Sequence, residues 1–196
     1  VFDEADLRSR GLERPSRSGS AGLLLRAVPF ALLAPLDRPR LRRDAYCCVA
    51  LAGADEGTAI TAVSRATADL MRFDLATSLL RLRQSLLEDA PLALLDHLSP
   101  WQHPPAFDAD PDPVVALQGA ITALDGATRL KDAMAASEGF PAVSRSLAGA
   151  LAGAAFGADA LSQLDAASLP HGERALQIAQ RLADRVAAPG LASPTG

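Results

Sequence analysis

Histidine is the side chain most often used for metal binding and proton transfer, and this chain of 196 residues contains His97, His103 and His171. None of the three has another histidine or a cysteine at the spacing of three or four positions that zinc sites use. The sequence also lacks a glycine-rich phosphate loop, a nucleophile elbow and a cysteine–histidine pair. We therefore interpret the histidines as surface or capping residues.

A cluster of alternate aspartates, Asp108, Asp110 and Asp112, lies in the stretch 99–113. Such spacing is typical of a calcium-binding loop, but the glycine and the distal glutamate of that loop are absent. Five prolines interrupt the same stretch. We therefore favour an irregular, acidic, proline-rich loop over an ion site.

The composition favours a helical protein and argues against a nucleic-acid or membrane partner. Apolar residues make up 49% of the chain but aromatic residues only 4%, so alanine and leucine, both strong helix formers, must fill the core. There are 23 acids and 19 bases, for a net charge of -4, and no basic stripe with interleaved aromatic residues. No apolar run reaches the roughly 20 residues that a membrane span needs.

Cysteine usage and the N-terminus both indicate a cytoplasmic protein. Adjacent cysteines on a helix rarely form a disulfide, so Cys47 and Cys48 are expected to be small, buried, reduced side chains. The chain does not open with the charged and apolar regions of a secretion signal. Lys131 is the only lysine among many arginines, which we interpret as the coding bias of a GC-rich bacterial genome.

The elements that must position these residues are predicted to be helices throughout, because no stretch alternates with a period of two. We expect an all-α fold of about seven or eight helices in one domain at 23–187. An N-terminal loop or remnant is expected at 1–22 and a disordered tail at 188–196.

Two helices near the C-terminus carry specific packing expectations. In the segment 135–161, the four-residue spacing of Gly149, Gly153 and Gly157 predicts that another backbone approaches closely, since glycine otherwise weakens a helix. A last helix at about 172–187 is expected to turn one apolar stripe toward the core. That stripe consists of Leu176, Ala179, Leu182 and Val186.

A family pattern runs through three segments in a fixed order, 14–33, 48–71 and 135–161. The first keeps the glycine, arginine and proline of a loop-then-helix motif at Gly22, Arg26 and Pro29, the second is alanine-rich, and the third contains LAGALAGAAFG. In these segments the chain resembles the C-terminal part of the ADP-ribosylglycohydrolase family, which includes the dinitrogenase reductase-activating glycohydrolases. The resemblance implies a multi-helix orthogonal bundle.

The resemblance also implies a site that this chain has lost. Members of the family hold two magnesium ions and cleave the glycosidic bond of ADP-ribosylated substrates, with ligands from Thr-Asp-Asp and Asp-x-Asp motifs. Phe140 and Ala142 stand where the late aspartates would be, and Thr-Asp-Asp does not occur. We therefore expect degenerate metal motifs and no magnesium cofactor, and the catalytic residues stay unknown.

Six residues are candidates for lining a cleft that still binds an ADP-ribose-like small molecule. They are Ser20, Gly22, Arg26, Glu138, Gly139 and Ser144. The alternative for Arg26 is that its guanidinium caps a neighbouring helix end.

Three hypotheses about function remain open at this point. The first is a catalytically inactive or truncated ADP-ribosylglycohydrolase-like protein, and the second is a helical interaction or regulatory module without ADP-ribose chemistry. The third is a live enzyme in which an upstream segment supplies the metal ligands. Because missing N-terminal helices would leave core uncovered, we also expect self-association or coverage by such an upstream segment.

Overall fold

The computed structural model describes residues 21–22, 24–33, 35–50, 57–89, 111, 113–161 and 170–187. Within these ranges the chain forms eight helices and no strand. In chain order they are α1 (Leu24–Leu33), α2 (Arg38–Ala50), α3 (Gly57–Leu70), α4 (Leu75–Asp89), α5 (Pro113–Leu124), α6 (Leu130–Ala136), α7 (Ala142–Leu161) and α8 (Gly172–Ala187). The predicted all-α fold is confirmed. The stretch predicted as an acidic loop, 99–113, lies almost entirely outside the described residues.

Helices α3, α5 and α7 form the centre of the bundle. Helix α3 packs against α1, α2 and α4, while α7 packs against α5 and α6 and also contacts α3 and α1. Helix α5 begins at Pro113, where a missing N–H is harmless, and nine of its 12 residues are buried. A helix that is buried on nearly all sides needs apolar residues all round, and the sequence PVVALQGAITAL supplies them.

Leucines fill the core and alanines line the surfaces where helices meet. The fully buried large side chains include Leu24, Leu117, Leu124, Leu147 and Leu151, each at most 1% exposed. Small side chains on facing helices let the backbones pack to the density of a crystal. The buried Ser64 hydroxyl of α3 donates to the Ala27 carbonyl of α1 at 3.0 Å, so polar groups inside this contact are paired.

Aspartates cap two of the helices that follow tight turns. The Asp37 carboxylate accepts from the Arg40 amide at 3.0 Å at the start of α2. The Asp74 carboxylate accepts from the Thr77 amide at 2.9 Å and from the Thr77 hydroxyl at 2.6 Å at the start of α4. Each cap satisfies an amide that has no partner inside the helix.

The prediction that the glycine row of α7 admits another backbone is wrong. A Cβ atom added at Gly149 would meet only the side chain of Met134, whose Sδ lies 3.4 Å away, and at Gly153 and Gly157 nothing lies within 4 Å. Gly157 instead has φ 74° and ψ -175°, a backbone conformation that breaks the helical geometry inside α7. Its glycine is needed for backbone freedom, not for close packing.

Two further packing predictions are wrong. Helix α8 has no buried residue, and Leu176 and Val186 of the predicted inward stripe are 47% and 40% exposed. Cys47 is exposed, not buried. In both cases the sequence pattern identified apolar side chains correctly but did not establish that another element covers them.

Candidate functional site

The first half of the candidate cleft lies at the start of α1. Gly22 and Arg26 are both exposed, whereas their neighbours Ala21 and Leu24 are buried in the core. Ser20 lies outside the described residues. The helix continues through Pro29, whose side chain faces solvent, and ends before Pro35. Arg26 therefore lies on the solvent-exposed side of α1.

The second half of the candidate cleft is the tight connection between α6 and α7. The Ser137 hydroxyl donates to the Met134 carbonyl at 2.7 Å, and the Phe140 amide donates to the Ser137 carbonyl at 3.0 Å. Gly139 has φ 85°, in the left-handed region that favours glycine, and this reverses the chain toward α7. Glu138 and Gly139 are exposed.

Phe140 and Ala142, the two positions at which the resemblance leads us to expect missing metal ligands, have different surroundings. The Phe140 side chain is half-buried and packs against the main hydrophobic core. Ala142 is exposed and begins α7. An apolar ring that packs on the core stabilises the connection between α6 and α7 and supplies no oxygen to a cation.

Among the candidates that the structure describes, Ser144 alone is buried away from solvent. The Ser144 side chain is fully buried, and its hydroxyl has no hydrogen-bond partner among the described residues. It shares a helical stripe with Leu147, Ala148 and Leu151, all of which are at most 1% exposed. The spacing of three and four positions places the hydroxyl on the core face of α7, so it is an uncompensated polar group inside an apolar contact.

The two halves of the candidate cleft lie on or beside helices that contact each other, but within the described residues their polar side chains do not bond to one another. Helices α1 and α7 contact each other, and Leu25, Phe140 and Val143 pack against the same core. In the described part of the chain, no hydrogen bond or ion pair links Arg26 to Glu138. Four exposed residues, Gly22, Arg26, Glu138 and Gly139, remain available to a ligand.

The histidines and acids considered for metal binding form no cluster within the described ranges. No group of three or more histidine, cysteine, aspartate or glutamate side chains there could hold an ion. His171 is exposed, with φ 62°, and precedes α8. His97, His103 and the three aspartates of 99–113 lie outside the described residues.

A second polar site, which the sequence patterns did not indicate, lies where α2, α3 and α4 meet. We call it the Asp69 cluster and define it as Arg38, Asp69, Arg72, Phe73 and Arg81. The Asp69 side chain is only 8% exposed. The Nη2 atom of Arg38 donates to both carboxylate oxygens, at 3.2 and 3.3 Å, and Nε of Arg81 lies 3.3 Å from Oδ2.

The same arginines surround an aromatic ring. The guanidinium carbons of Arg81 and Arg72 lie 4.6 and 5.1 Å from the centre of the Phe73 ring, within the range of a cation–π contact. The Arg81 Nε atom is buried and forms no well-aligned hydrogen bond, so its contact with Asp69 is an ion pair only. Asp69 thus ties α3 to both α2 and α4.

The sequence analysis did not predict the Asp69 cluster, because Arg38 and Arg81 lie outside the segment 69–73 that holds its other members. Arg38 and Asp69 are separated by 31 positions, and neither belongs to a recognisable motif. The one available signal is Asp69 itself, a carboxylate one residue before the end of an alanine-rich helix. An acid at a helix C-terminus is unfavourable with the helix dipole unless cations lie beside it.

A simpler ion pair on α6 provides a contrast. The Asp132 carboxylate accepts from Arg129 at 3.0 and 3.3 Å and from the Thr128 hydroxyl at 2.8 Å. The Arg129 hydrogen bonds, followed by that of Thr128, lower the pKa of Asp132 from 3.8 to about 2. Here one cation meets one anion, so the pair leaves no net charge.

The chain has no match among models of known protein families, curated proteins or solved structures. No helix within the described ranges is long and apolar enough to cross a membrane.

Proposed function

We propose that this chain is an ADP-ribosylglycohydrolase-like protein that keeps the helical scaffold but not metal-dependent hydrolysis. The supporting observation is the packing of Phe140, whose side chain contacts the core at a position where the family pattern has a metal-binding aspartate. A ring in contact with the core cannot be exchanged for a carboxylate without burying charge or losing packing. The proposed role is binding of an ADP-ribose-like molecule without turnover.

The exposed candidate residues supply the chemical groups that would bind an ADP-ribose-like molecule. Arg26 supplies a guanidinium, which pairs well with phosphate oxygens. Gly22 and Gly139 are exposed and have no Cβ, so backbone amides beside them can approach a ligand closely. Ser144 is not part of this set because its hydroxyl is buried.

Calorimetry of the full chain with ADP-ribose, with and without magnesium, tests the proposal, together with an assay for release of ADP-ribose from an ADP-ribosylated substrate. We expect magnesium-independent binding and no hydrolysis. Arg26→Gln should weaken binding by roughly tenfold, the equivalent of about 1.4 kcal/mol. Arg174→Gln on α8 removes an equally exposed charge elsewhere and should leave binding unchanged. Magnesium-dependent turnover would overturn the proposal.

The second candidate function is a helical interaction module, and the exposed apolar side of α8 favours it. Leu176, Ile178 and Val186 are 40–50% exposed on a helix of 16 residues that has no buried position. Exposed apolar groups gathered on one element are typical of a protein contact. Sedimentation velocity should then show self-association that Ile178→Asp abolishes, whereas absence of both self-association and ADP-ribose binding would leave neither function supported.

A further inference from the structure

The Asp69 cluster contains more positive than negative charge. The guanidinium groups of Arg38 and Arg81 pair with the Asp69 carboxylate and that of Arg72 contacts the Phe73 ring, so the three positive charges and one negative charge of the cluster sum to +2. The pairing of Asp69 with Arg38 and Arg81 therefore does not neutralise the cluster. By contrast, the Arg129–Asp132 pair on α6 balances one charge with one.

The cations of the cluster face solvent and the anion lies beneath them. The side chains of Arg38 and Arg81 are 44% and 36% exposed, against 8% for Asp69, and Arg72 is exposed. An anion that arrives from solvent meets guanidinium groups before it meets the carboxylate. The ion pairs with Asp69 hold the guanidinium groups of Arg38 and Arg81 in place, so these two side chains have little freedom left to lose on binding.

Asp37 and Asp74, the acids next to the cluster in the sequence, accept hydrogen bonds at the N-termini of α2 and α4. The carboxylates of Asp37 and Asp74 cap α2 and α4 and accept from the backbone amides of Arg40 and Thr77. Both are exposed, so solvent and salt screen their charge more strongly than that of buried Asp69. Their negative charges reduce the field of the cluster without blocking its guanidinium groups.

We propose that the Asp69 cluster is a binding site for a phosphate dianion, either inorganic phosphate or the phosphomonoester group of a larger molecule. A dianion matches the charge of +2, and the planar guanidinium presents paired N–H donors that match the oxygens of a phosphate. Within the described residues the Arg72 guanidinium contacts the Phe73 ring and forms no ion pair with the Asp69 carboxylate, so its N–H donors can turn toward the ligand. The site is on α2–α4 and does not depend on the proposed binding of ADP-ribose near α1 and α7.

The test is a calorimetric titration of the full chain with inorganic phosphate at constant ionic strength, repeated with O-phosphoserine to distinguish the free anion from a monoester. Arg72→Gln should weaken phosphate binding roughly tenfold, because it removes one of the three cations. Arg129→Gln is the matched control, since it removes one exposed, paired arginine outside the cluster, and it should leave the affinity unchanged. Arg26→Gln should also leave it unchanged, which separates this site from the ADP-ribose proposal.

A second variant is expected to strengthen binding, so misfolding cannot imitate it. Asp74→Ser removes a negative charge beside Phe73 and keeps a side chain that can cap α4, and we expect phosphate to bind roughly twofold to threefold more tightly. Tighter binding by O-phosphoserine than by phosphate would favour a monoester ligand. The absence of saturable binding of either compound, or equal weakening by Arg72→Gln and Arg129→Gln, would overturn the proposal.

Discussion

Helices α7 and α8 both carry leucine and alanine at helical spacing but have opposite surroundings. On α7 the stripe of Leu147, Ala148 and Leu151 is at most 1% exposed, and it packs against α5 and α6. On α8, Leu176 and Ile178 are 47% and 50% exposed, and no residue is buried. The comparison teaches that apolar periodicity specifies a helix and its apolar side, whereas burial requires a partner element.

Truncation of one leucine on each helix should show the largest difference. Leu151→Ala should lower the free energy of unfolding by about 2–5 kcal/mol, because it leaves a cavity in a fully buried contact. Leu176→Ala, the matched change on α8, should alter it by about 0.5 kcal/mol or less. Urea unfolding of both variants measures the two values. Equal losses would mean that α8 is covered in solution.

Glycine replacements within α7 test which parts of that helix are regular. Gly157→Ala should destabilise the protein by about 1–3 kcal/mol, because alanine strongly disfavours φ 74° with ψ -175°. Gly149→Ala should stabilise it by up to about 1 kcal/mol, since the added Cβ makes an ordinary contact with the Met134 sulfur. The shift in melting temperature of each variant shows whether the substitution stabilises or destabilises the protein. Stabilisation by Gly157→Ala would show that α7 can continue straight through this position.

The buried hydroxyl of Ser144 offers a smaller test of the same helix. Ser144→Ala should raise the free energy of unfolding by about 1 kcal/mol, since it removes an unpaired polar group and adds helix propensity. Ser146→Ala, on the exposed side of α7, is the control and should gain only the propensity, about 0.5 kcal/mol. A loss of stability in Ser144→Ala would indicate that the hydroxyl has a partner such as a buried water.

The smallest effect on stability is expected for the exposed ion pair Arg129–Asp132. Arg129→Gln should return the pKa of Asp132 from about 2 toward 3.8, which a carboxyl NMR titration measures. Because the folded-state pKa is the lower one, the stabilisation by this pair is present above the unfolded value and is lost as the pH falls from about 3.8 to about 2. The pKa of Asp74, which the Thr77 hydrogen bonds lower, should not change in this variant.

The candidate cleft stays a prediction, and the structure shows only which of its described residues are exposed. The segment patterns proposed Arg26 and Gly139 as cleft residues, and both are exposed, near the start of α1 and of α7. They also included Ser144, which is buried because its position in the helical repeat coincides with that of Leu147 and Leu151. Binding of ADP-ribose and loss of hydrolysis stay predictions. The Asp69 cluster was not predicted, because ion pairs between residues distant in the chain produce no periodic pattern in the sequence.

The amino-acid sequence by itself determined that this protein is helical and where apolar stripes lie on helices such as α8, because propensity and periodicity are local properties of the chain. Only the tertiary structure decided which apolar sides are covered, as on α7, and which are exposed, as on α8. It also decided that Arg38 and Arg81 meet at Asp69. These outcomes depend on the packing of helices distant in the chain, and the residues of one helix do not specify its neighbours.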